Sequence, residues 1–139
     1  MALGVSKFLG INLPQNFNKP YFACSITDFW RRWHITLSSW FKDYLYIPLG
    51  GSYVASHRVY FNLLITMCIA GLWHGASFNF ILWGFLNGLI LSLEKLFKVE
   101  KFSHNFIKNL FYCFIIFNLW VIFRISDFSV MLIFFDKLY

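Results

Sequence analysis

The sequence predicts an all-α integral membrane protein with several transmembrane and re-entrant helices. Three observations carry this. The chain is 59% hydrophobic and only 13% charged, against about 25% charged residues in water-soluble domains. From Val59 to Leu93 there is no Asp, Glu, Lys or Arg, enough for one membrane span with length to spare or for two short ones. Apolar residues come in blocks rather than alternating with polar ones, which argues against a transmembrane barrel.

At 139 residues there is room for at most one domain. The net charge of +6 does not point to nucleic acid, because the basic residues sit at the ends of apolar blocks and form no groove. Cys24, Cys68 and Cys113 are odd in number and lack CxxC spacing. They read as small buried hydrophobes, not as a disulfide framework or zinc site. The opening "MALGVSKFLG" has no basic segment before an apolar run, so no cleavable signal is expected.

Residues 1–24 read as a helix end and a loop, since the prolines and asparagines of "LPQNFNKPY" disfavour regular structure. Residues 25–51 read as one aromatic interfacial or re-entrant helix. Ser25 followed by Asp28 fits a capping box, so this helix is predicted to start at Ile26 and to run to about Tyr46. Pro48 and Gly50-Gly51 end it. Asp28 lies within one turn of Arg31 and Arg32 and can pair with them. Aromatic residues with charged ends suit the membrane interface.

Residues 59–93 read as a short helical hairpin with His74 at its turn. If Val59–Trp73 is helical, it reaches about 22 Å, short of a hydrocarbon core about 30 Å thick. His74, between Gly71 and Gly75, is then expected inside the membrane, where irregular backbone must be buried in protein or line a wet cavity. Glu94–Lys108 reads as a basic loop facing the cytoplasm. Residues 109–124 form a further span, and 128–139 the start of a truncated last one.

His74 is the strongest functional candidate, because an ionisable group at membrane depth usually marks a substrate or proton path. His34 shares a predicted helix face with Arg31 and Ser38, and its local sequence favours a packed interface histidine. His57 and His104 are assigned no role. Asn62 and Asn79 read first as cross-helix hydrogen-bonding groups and second as substrate contacts. The tryptophans, Trp73 included, read mainly as packing and interface anchors. Gly84-x-x-x-Gly88 fits a close helix contact. No GxSxG elbow, P-loop or GxGxxG occurs, and no Cys adjoins a His.

Taken together, "NFNKPYFACSITDFWRRWHITLSSWFKDYLYIPLGGS", Arg58-x-x-x-Asn62 and "GLWHGASFNFILWGFLNG" resemble the membrane-bound O-acyltransferase family over nearly Met1 to Arg124. The resemblance is to the bacterial alginate and cell-wall O-acetyltransferase branch. It implies a piece of a larger helical bundle in the bacterial inner membrane, multi-pass. It also implies transfer of an acyl group, commonly acetyl, to a hydroxyl of an extracytoplasmic polysaccharide or cell-wall glycan.

The family motif places the catalytic histidine on His74 and the second functional histidine on His34. A neutral imidazole suits a general base, worth about 10²–10⁴-fold in rate. Arg31 and Arg32 are expected to meet an anionic donor or lipid headgroups, with Asn62 and Trp73 as further substrate contacts. No cofactor is expected to be tightly bound; the donor is acetyl-CoA or an acyl carrier. Expected partners are the donor, the glycan acceptor, membrane lipids, a periplasmic acyltransferase and N-terminal spans supplied in trans, with no nucleic acid. Where relatives carry His in WGxxHG, Asn87 stands here and cannot shuttle protons. Family members are several hundred residues long, so the chain reads as a C-terminal part. The competing readings are a non-catalytic membrane subunit from a split gene, and a haem protein using two histidines, which a Soret band tests.

Overall fold

A helix leaves its first N–H groups without partners of its own, and a side-chain acceptor before it can serve them. The computed structural model describes residues 2–99, 105–125 and 127–139. After a first short helix, α1 (Ala2–Phe8), an extended stretch leads to a single 3₁₀ turn at Pro20–Phe22. Ser25 then caps α2 (Ile26–Arg32), its Oγ accepting from the Asp28 N–H at 2.9 Å. Helix α3 (Ile35–Phe41) follows and passes into a π-helical turn, Lys42–Tyr46.

The single helix expected over Ile26–Tyr46 is therefore not present. It breaks at Trp33 and His34, and His34 takes left-handed backbone angles (φ 43°). The reason is tertiary. The extended stretch before α2 lies across the break, where Asn18 N–H donates to Arg32 O and Ile35 N–H to Asn16 O. These bonds replace the ones a continuous helix would make.

A hairpin forms the scaffold. Helix α4 (Ser56–His74) and α5 (Phe78–Leu96) are joined by a three-residue turn at 75–77. They pack unusually close, because a Cβ on Gly84 would stand 2.3 Å from Met67 O and one on Gly71 2.2 Å from Phe80 O. Only glycine fits such an approach. Gly75 closes α4 with φ 153°, a conformation glycine alone enters freely.

Helix α4 starts three residues before Val59, and its 19 residues reach about 28 Å. That nearly equals a hydrocarbon core of about 30 Å, so helix length does not hold His74 short of the far side.

Helix α6 (Phe106–Arg124) packs on α5, and α7 (Phe128–Leu138) follows it. The core gathers Ile26 and Phe29 of α2, Trp83 of α5, Tyr112, Ile116 and Leu119 of α6 and Met131 of α7. On α6, Leu110, Phe111, Phe114 and Phe117 face outward. Among the described residues, α6 is the one helix long and apolar enough to cross a membrane. Helix α4 carries Arg58, Asn62 and two histidines, and α5 carries two asparagines, Glu94 and Lys95, which lowers the hydropathy of both.

The expected basic loop is corrected at its start, since Glu94 and Lys95 belong to α5. Residues 100–104 of that loop, His104 among them, lie outside the described residues. The three cysteines form no disulfide among the described residues and are partly exposed rather than buried.

Candidate active site

Helix α2 is anchored by a carboxylate from another helix. Glu94 of α5 is 3% exposed. It accepts from Ile26 N–H at 2.6 Å, Thr27 N–H at 2.9 Å and Thr27 Oγ1 at 2.8 Å. Tyr112 of α6 lies beside it. A buried carboxylate so supplied with donors, at the positive end of a helix, is well compensated. Nothing in the local sequence marks Glu94 for this, because its partners on α2 are 67 and 68 residues away.

Between the α2–α3 arm and the α4–α5 hairpin lies a cavity of about 620 Å³. One face of α4 lines it with Leu63, Thr66, Met67, Ala70 and His74, spacings that place all five on one helical stripe. From Leu63 to His74 the stripe rises about 16 Å. The arm contributes Trp30, Arg31, Ser38 and Lys42, and α5 contributes Trp83, Leu91 and Lys95. Lys95, at the end of α5 remote from the hairpin turn, donates to Ser52 Oγ at 2.8 Å. The cavity thus has a cationic end, mainly apolar walls and an imidazole at the opposite end. Thr66 is 6% exposed, and its hydroxyl meets no partner among the described residues.

The His74 ring is set by aromatic packing. Phe123 lies 4.8 Å away at 87° and Trp83 5.6 Å away at 89°, both edge-on. Trp73 and Phe80 complete the surround. The residue is exposed, and among the described residues no group hydrogen-bonds its ring nitrogens.

His34 lies within electrostatic reach of His74 but does not line the cavity. The expected face shared by His34, Arg31 and Ser38 is lost at the helix break, and Ser38 Oγ bonds Trp33 O instead. His34 Nδ1 is buried with no partner among the described residues. A left-handed non-glycine residue costs roughly 1–2 kcal/mol. A buried unsatisfied polar atom costs about 1–3 kcal/mol. Both fall on one histidine.

The other expected contacts divide. Arg31 lines the cavity. Arg32 does not: its Nε pairs with Asp28 Oδ1 at 2.8 Å. Asn62 is 0% exposed and outside the cavity wall, its amide donating to Leu49 O and Gly51 O. It holds the turn after the π-helix on α4, which corrects its expected place at substrate. Trp73 is also off the cavity wall, 60% exposed and packed on Phe41 and His74. Asn79 holds the end of α6 through Ile125 O. Asn87 Oδ1 accepts from Trp30 Nε1 at 3.2 Å while its amide donates to Trp83 O, so it steadies two cavity walls.

The pattern of the membrane-bound O-acyltransferases matches residues 1–134, which includes every wall of this cavity. The chain belongs to that family. Its similarity to individual members is high. A peptidoglycan O-acetyltransferase of Helicobacter pylori is 48% identical over 133 residues, covering 91% of this chain and 25% of the relative. A protein named probable alginate O-acetylase of Pseudomonas aeruginosa is 43% identical over 132 residues, 94% of this chain and 25% of the relative. A teichoic acid D-alanyltransferase of Bacillus subtilis is 35% identical over 115 residues, 76% of this chain and 28% of the relative. The chain spans about a quarter of the length of these curated relatives.

Proposed function

We propose that this chain carries the catalytic centre of a membrane O-acyltransferase, with His74 as general base. The observation that carries the reading is the position of His74 at one end of the cavity, held by four aromatic rings with both nitrogens unengaged. The donor is an acyl thioester, acetyl-CoA or an acyl carrier. The acceptor is a hydroxyl of an extracytoplasmic polysaccharide or cell-wall glycan, and the setting is the bacterial cell membrane.

The chemistry follows from this placement. The acceptor oxygen attacks the thioester carbonyl carbon while the His74 imidazole takes the hydroxyl proton. The tetrahedral intermediate collapses, the carbon–sulfur bond breaks, and the imidazolium returns the proton to the departing thiolate. A thioester is already activated, so no covalent enzyme intermediate is needed. Arg31, Lys42 and Lys95 suit the anionic part of a donor, and the apolar wall suits its uncharged arm. His34, on the strained turn of the arm, serves as the second functional histidine.

The test is transfer of radiolabelled acetyl from acetyl-CoA to cell-envelope glycan in membranes holding the protein. His74→Ala is expected to lower the rate by about 10²–10⁴-fold, the usual worth of a positioned base. Label that is transferred equally by wild type and His74→Ala removes His74 as the base. No label from either version favours a non-catalytic subunit that completes a complex with further spans.

A further inference from the structure

His34 takes left-handed backbone angles, which histidine enters more often than most non-glycine residues but still uncommonly, so its neighbours decide whether it stays there. One residue bridges the site. Asn16 O accepts from the Ile35 N–H at 3.0 Å. Asn16 Oδ1 accepts from the Thr36 N–H at 3.0 Å and from Thr36 Oγ1 at 2.6 Å. These groups are the first N–H donors of α3, which its own N-cap leaves unserved, since the His34 side chain makes no capping bond. Two residues on, Asn18 N–H ties the same stretch to Arg32 O at 2.9 Å, on the other side of the break. The Phe17 ring, between them, lies 6.1 Å from the His34 ring.

We propose that Asn16 is a positioning residue for His34. It supplies from outside the helix the cap that His34 cannot supply itself, and so fixes the left-handed turn that aims the imidazole. This rests on the reading of His34 as a functional histidine. The chemistry used is narrow. All three bonds to Asn16 end on its oxygens, and the Thr36 N–H requires an acceptor, so the amide oxygen must face it. Aspartate keeps that acceptor at the same reach, whereas alanine has none. The residue is only partly buried and lies outside the core, so its loss need not unfold the chain.

The experiment compares wild type, Asn16→Ala, Asn16→Asp and His34→Ala in membranes holding the protein at the length the cell makes. Transfer from radiolabelled acetyl-CoA to envelope glycan gives kcat and KM per folded molecule, and hydrogen exchange of the peptide spanning residues 34–41 is read by mass spectrometry. Asn16→Ala is expected to lower kcat by about 10–100-fold with little change in KM, the scale of a misplaced catalytic group. Exchange at Thr36 is expected to rise at least about tenfold, because its N–H loses the side-chain acceptor, while the Ile35 N–H keeps the backbone carbonyl of residue 16. Asn16→Asp is expected to restore both.

A merely structural cap predicts fewer folded molecules with unchanged kcat in each. That result, with His34→Ala inactive, overturns the positioning role alone. Normal transfer by His34→Ala overturns the reading of His34 and the proposal with it. If wild type transfers no label, exchange decides: unchanged protection in Asn16→Ala overturns the proposal, and loss restored by aspartate supports it.

Discussion

The α4–α5 hairpin and the α2–α3 arm face each other across one cavity, yet they are built on opposite principles. The hairpin is regular. Two 19-residue helices close on a glycine seam, and Ser92 Oγ donates to Gly88 O within its own helix. The arm is short, broken and held from outside. Its two helices have seven residues each, too few to be stable alone. Its start rests on Glu94 and its central break on Asn16 and Asn18. A rigid wall carries His74, and a wall assembled from distant parts carries His34. Precision in the arm is thus supplied by tertiary hydrogen bonds rather than by helix length.

The sharpest way to break this contrast is at the seam. Gly84→Leu puts a side chain where even a Cβ would stand 2.3 Å from Met67 O. Forced overpacking of this kind typically costs about 1–3 kcal/mol or more. Thermal unfolding in detergent is expected to show a larger loss than substitution at Glu94 or His34 gives, and an unchanged transition would mean that the two helices do not meet at this face.

The next probe acts on the arm. Glu94→Ala leaves the Ile26 and Thr27 N–H groups without their acceptor, a cost of about 1–3 kcal/mol. Faster hydrogen exchange is expected in α2, with α4 protection retained. Equal loosening of both regions would show that hairpin and arm do not differ in the way they are held.

The smallest effect carries the opposite sign. His34→Gly relieves the left-handed backbone and removes the unsatisfied Nδ1, so the folded chain is expected to gain about 1 kcal/mol. Acyl transfer is expected to fall with the same change, a trade of stability against function. A variant both less stable and fully active would show that His34 is a packing residue.

The two regions also differ in how far they were legible. The charge-free run, the glycines and the Gly-bounded "LWH" mark the hairpin, because apolar blocks and glycine spacing are local signals. Ser25 marks the start of α2 for the same reason. The break at His34 left no such mark. Nothing between Ile26 and Tyr46 forbids a continuous helix, since no proline or glycine interrupts it. Asn62 reads from the sequence first as a hydrogen-bonding group, but its partners, the carbonyls of the turn at residues 49–51, carry no local mark.

By itself the sequence determined the helical class, the hairpin and the family, because composition, periodicity and a joined motif are properties of neighbouring residues. The tertiary structure alone decided where the arm breaks, that Glu94 is buried, and that Arg31 faces the cavity while Arg32 does not. Each of those outcomes depends on where a buried donor or acceptor finds its partner. A backbone N–H on α2 and a carboxylate 68 residues later meet only once the chain has closed around both.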